Sequence, residues 1–138
     1  MLIIWLDASL QAMAKGGPEH RNAQGIMRDY YKSMGKIAVI EGFLGKHIDV
    51  LVYDLTTRTM TAVEYQTSKA NALRNIFHDC RVCDEVVIVS SSQRVLDGIR
   101  ADAKKVFGSA EFEKLSFRLL KEFVPQKLEE KTAASMPE

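Results

Sequence analysis

Between Lys46 and Ser68 the chain reads KHIDVLVYDLTTRTMTAVEYQTS, two runs of branched and aromatic residues around a short polar break. His47–Asp54 and Met60–Gln66 both suit strands. The break, Leu55 to Thr59, contains neither glycine nor proline, so its length rather than its composition marks a hairpin. A turn centred on Thr56 and Thr57 sets Asp49 opposite Glu64. Strand side chains alternate between faces. One face then carries His47, Asp49, Leu51 and Tyr53 against Met60, Ala62, Glu64 and Gln66. The other carries Ile48, Val50 and Val52 against Val63 and Tyr65, and this apolar face belongs on a core.

The same register brings two carboxylates together. Opposed strand residues have Cβ atoms about 5 Å apart. Two bare carboxylates at that range repel, and one pKa rises. Two readings stay open. A divalent cation with oxygen ligands, Mg²⁺ or Mn²⁺, would relieve the repulsion. Alternatively, both acids are solvated at a sheet edge.

A chain of 138 residues reads as one domain, and 46% apolar content can fill its core. Residues 1–14 read as an N-terminal extension or interface segment, 15–128 as the domain, and 129–138 as a tail that frays. No apolar run is long enough to span a membrane. Met1–Leu6 is apolar but short and lacks a basic leader, which argues against a signal peptide.

The net charge of +1 neither demands nor excludes nucleic acid. Modest basic surfaces are expected over 15–36 and 94–105. Cys80 and Cys83 follow His78 at a spacing that resembles half a zinc site, but no second half accompanies them. Buried structural thiols in a reduced, cytoplasmic protein are the expectation.

Flanking segments supply the rest. Gly16-Gly17-Pro18 opens a helix over about 18–34, with Ala23, Ile26, Met27, Tyr30, Tyr31 and Met34 as its apolar stripe. Glu19 lies at the head of that stripe, where a carboxylate needs a partner or the helix dipole. His20 and Arg21 fall off the stripe, toward solvent or phosphate. A first strand over 36–41 turns back through Gly42–Gly45. With Phe43–Leu44 as the loop, Val39 faces Ile48, Ala38 faces Asp49, and Glu41 pairs with Lys46. Ser68 is expected to cap a helix over 69–80. Glu85–Ser90 is an apolar strand of the kind covered on both faces. Ser92 opens a further helix, and 114–120 forms a last edge strand. Helix, strand, helix argues for parallel crossover pairing. The fold class is α/β: a three-layer α/β/α arrangement around a mixed sheet, with core order α-β-β-β-α-β-α.

Glu19 on the first helix, Asp49 on the second strand and Glu64-Tyr65-Gln66 on the third together resemble the PD-(D/E)XK nuclease superfamily, the restriction-endonuclease-like fold. The likeness covers about residues 18–107. It is nearest to resolvase-like domains and to domains of plasmid and mobile-element proteins. The resemblance implies a metal-dependent DNA endonuclease directed by structure rather than sequence. It implies Mg²⁺, with Mn²⁺ as substitute, on Asp49, Glu64 and the Tyr65 carbonyl, with Glu19 assisting through water. Gln66 stands where the family has lysine and can orient a water or phosphate but not act as a base. Lys69, four residues before Leu73 and so on the inward side of the next helix, is the expected substitute. Arg21, Arg28 and Lys32 would contact DNA phosphates. The alternative is a catalytically inactive DNA-binding or protein-interaction module. A homodimer, or a place in a longer protein or mobile-element assembly, fits either reading.

Overall fold

A computed structural model describes residues 17–125. The proposed extension at 1–14 and tail at 129–138 lie outside the described residues. Helix α1, Pro18–Ser33, leads into β1, Ile37–Phe43, β2, His47–Asp54, and β3, Thr59–Tyr65. Helix α2, Ala72–Val82, precedes β4, Glu85–Ser90, and α3, Gln93–Val106, follows it. A short α4, Ser109–Phe112, then β5, Leu115–Leu119, and a 3-10 helix at Leu120–Phe123 complete the order. The sheet runs β1-β2-β3-β4-β5, antiparallel across the first two pairings and parallel across the last two. This is the expected mixed sheet with helices on both faces.

Helix α1 and the 3-10 helix cover one face. Ala23, Met27 and Tyr31 pack with Phe123 onto Val50, Val52, Val63, Tyr65, Val87 and Val89. Burying a side chain the size of Met27 contributes about 1.5–3 kcal/mol. Helices α2 and α3 cover the other face, where Ala72, Ile76, Leu96 and Ile99 meet Val86 and Ile88. Arg118 of β5 stacks 4.5 Å over the Phe123 ring and 5.3 Å over Tyr30, closing the α1 face.

The β2–β3 register is the expected one, with Val50 paired to Val63 and Leu51 to Ala62. Asp54 explains why this turn needs no glycine or proline. Its carboxylate accepts the N–H groups of Thr56 and Thr57, and its carbonyl accepts that of Arg58, which adopts φ 58.

The β1–β2 register differs from expectation by three residues. Val39 pairs with Leu51 and Ala38 with Val52. Strand β1 continues through Phe43, and the turn is Leu44-Gly45-Lys46, with Gly45 at φ 83. An odd shift exchanges the faces. Ala38 and Ile40 therefore pack toward α1, while Ile37 and Val39 are exposed. Helix α2 also begins later than expected. Ser68 caps only a turn, and the helix starts after Asn71, which adopts φ 62.

Candidate functional site

The site forms at the end of the sheet where β1 and β3 finish and β2 begins. The β2–β3 ladder runs as far as Val50–Val63. Beyond it, side chains replace backbone pairing. Asp49 Oδ2 accepts the Tyr65 N–H at 2.8 Å, and Glu64 Oε1 accepts the Asp49 N–H at 3.4 Å. Each acid thus serves the opposite strand's backbone.

Strand alternation slips here. Ile48 packs with Ala62 and Cys83, on the side away from Val50. Across from it, Glu41 adopts φ 57, and the β1–β2 ladder passes from Ile40–Val50 to Gly42–Ile48 without pairing Glu41. The kink turns Glu41 toward α1, where Gln24 Nε2 donates to its Oε2 and also to the Asp49 carbonyl. The expected Glu41–Lys46 pair does not form, because it depended on the other register. Glu41 and Asp49 are both buried.

His20 completes this cluster. It was expected at solvent or phosphate, but its Nε2 lies 3.0 Å from Asp49 Oδ1, and its ring meets Tyr65 edge-on. Oxygens of Glu41 and Asp49 and a His20 ring nitrogen all lie within 4.8 Å of one another. Ligands sharing a first-row divalent ion, with bonds of about 2.0–2.3 Å, stand within that range. Two carboxylates and one imidazole suit Mn²⁺ or Zn²⁺ better than Mg²⁺, which favours oxygen throughout.

Each carboxylate that the family resemblance implies for the metal is bonded within the protein. Glu19 Oε2 accepts the Tyr65 hydroxyl at 2.7 Å, and that hydroxyl also lies 2.9 Å from Ser91 Oγ. The Tyr65 phenol is pushed up, first by burial and then by its bond to Glu19. Glu64 turns to the α2 side, although it remains beside the Asp49 backbone. Lys46 Nζ lies 2.7 Å from Glu64 Oε2 and 3.6 Å from Asp79 Oδ1.

Asp79 is fully buried, and its Oδ2 has no hydrogen-bond partner among the described residues. Burial is the main force raising the Glu64 pKa well above its ordinary value, and a hydrogen bond to Asp79 adds to it.

Gln66 is buried, with its backbone N–H bonded to Val89. Lys69 does not approach the acids. Its stem crosses Gly98 on α3, and its ammonium lies 3.4 Å from Asp102 Oδ2. Arg21, Arg28 and Lys32 share one side of α1, and Arg28 pairs with Asp29 at 3.0 Å. Cys80 and Cys83 are buried free thiols, with Cys83 pushed up to about 12 chiefly by burial.

Sequence reasoning missed Glu41, Gln24, Lys46 and Asp79. Two polar residues on buried helix faces, Gln24 and Asp79, were the available signal, since such groups require buried partners.

No helix among the described residues is long and apolar enough to cross a membrane. Comparison with known proteins finds no family model, curated protein or solved structure that matches this chain.

Proposed function

We propose that the protein is a divalent-cation-dependent DNA endonuclease of the PD-(D/E)XK type, directed by DNA structure rather than sequence. The observation that carries this reading is the seat of Asp49 between the parting ends of β2 and β3, with Glu41 and His20 in common reach. The element order α-β-β-β-α-β-α supports it as well.

Glu41, Asp49 and His20 would hold the ion. A bound divalent ion supplies a water of lowered pKa and neutralises charge on the phosphate. Tyr65 fixes Asp49 through its backbone N–H and anchors Glu19 through its hydroxyl. Gln24 orients Glu41 from the buried side. Glu64, beside the Asp49 backbone, and Lys46, bonded to Glu64, form the adjoining wall.

The test is cleavage of plasmid, branched and single-stranded DNA in Mn²⁺. Asp49→Asn should abolish cleavage and Glu64→Ala should reduce it strongly, with both variants folded. Cleavage surviving in folded Asp49→Asn removes the assignment.

A second reading, an inactive DNA-binding module, is favoured by Gln66 in place of lysine and by the pairing of Lys69 with Asp102. On that reading the wild type cleaves none of these substrates, and Glu64→Gln keeps its DNA affinity.

A further inference from the structure

The acids have a basic neighbour on the α2 side. The β1–β2 turn lies against the last turns of α2. Between them runs a groove of about 500 Å³ lined by Leu44, Gly45, His78, Arg81 and Val82. Turn and helix approach closely: a Cβ at Gly45 would stand 3.2 Å from His78 Nε2. None of the lining residues is acidic.

Lys46, next to Gly45 in the turn, has 27% of its side chain exposed while its ammonium bonds Glu64. Arg81 is exposed and lies 5.7 Å over the ring of Phe77, itself exposed. Lys46 is itself paired with Glu64 and Asp79, so Arg81 is the groove cation that no salt bridge among the described residues offsets. Asp79 is buried against Lys46 and His78, and Asp84 accepts the Met60 N–H at 2.8 Å. On α1, by contrast, Asp29 offsets Arg28.

We propose that this groove is the track for the DNA backbone, with Lys46 and Arg81 each contacting a phosphate, in place of the α1 cations. The partner class rests on the nuclease reading above, and the location rests on the groove. Lys46 joins the two regions, because the ammonium that would meet a phosphate also bonds Glu64, and Glu64 bonds the Asp49 backbone.

The experiment is the salt dependence of affinity for labelled duplex DNA, in EDTA so that no strand is cut. Each phosphate contact contributes about 0.9 to the slope of log K against log salt. Arg81→Ala and Lys46→Met should each lower the slope by about that much. Lys46→Arg should restore it, and Arg28→Ala/Lys32→Ala should leave it unchanged.

If Lys46→Met does not fold, Arg81→Ala decides alone, since Arg81 is exposed and holds no buried acid. An unchanged slope in Arg81→Ala overturns the proposal. So does a loss confined to the α1 pair, or a wild type with no salt-dependent affinity. Wild-type cleavage in Mn²⁺ is scored separately. A slope loss without cleavage keeps the groove and removes the nuclease. Cleavage with an unchanged slope in Arg81→Ala does the reverse.

Discussion

Asp49 Oδ2 accepts the backbone N–H of Tyr65 at 2.8 Å, so an acidic side chain occupies a position that a strand carbonyl would otherwise fill. This bond gives Asp49 a structural duty separable from its charge. Asp49→Asn keeps an oxygen for the N–H and should change unfolding free energy by less than about 1 kcal/mol. Asp49→Ala leaves a buried donor unpaired and should cost about 1–3 kcal/mol. Both should weaken Mn²⁺ binding at least tenfold by calorimetric titration. Equal destabilisation by the two variants would show that the N–H bond is not what the side chain supplies.

Lys46 sits against two buried acids, Glu64 and Asp79. Removing one partner of such a group leaves uncompensated polarity. With the ammonium partly exposed, Lys46→Met should cost about 1–3 kcal/mol in urea unfolding, below the range for fully buried pairs. Lys46→Met/Asp79→Asn should recover part of that loss. A double variant as unstable as the sum of the single ones would mean the three groups are not coupled.

The Glu64 pKa lies well above its ordinary value near 4.5, first because the carboxyl is buried. Between the two values the native chain keeps a proton that the unfolded chain has released. Its contribution to stability is therefore fully present below the unfolded value. It falls as pH rises through the native pKa and then levels off. Glu64→Gln mimics the protonated form and should flatten that part of the profile. The check is unfolding free energy measured from pH 4 upward in both proteins. Parallel profiles would show that Glu64 does not hold the extra proton.

A Cβ placed on Gly42 would stand 2.6 Å from the Leu51 Cβ. Gly42→Ala should cost about 1–3 kcal/mol, as overpacking does. The clash is with the first side-chain atom, so Leu51→Ala should not relieve it. Thermal unfolding of Gly42→Ala and Gly42→Ala/Leu51→Ala checks this, and recovery in the double variant would contradict the geometry.

What the amino-acid pattern could reveal differs between the two hairpins. The second was legible because strand alternation on both sides of Thr56–Thr57 admits only one wholly apolar face, and Asp54 secures the turn. The first was not. Gly42 looks like the start of a turn but lies within β1, where its missing Cβ lets the strand pass close to Leu51.

The left-handed Glu41 leaves no mark in composition, since glutamate has no preference for that conformation. From this one misreading followed the wrong partner for Lys46 and the wrong neighbour for Asp49. Lys69 was placed by helical spacing from Leu73, but the helix starts only at Ala72, so its side chain is not on that spiral.

Gly98 carries a consequence for that lysine. The Lys69 stem crosses α3 where a Cβ at 98 would lie 2.8 Å from its Cδ. A methyl group there would evict a flexible side chain rather than break the helix. Position 98 thus acts as a parking place, keeping the Lys69 ammonium beside Asp102 while Lys46 serves Glu64 and Asp79.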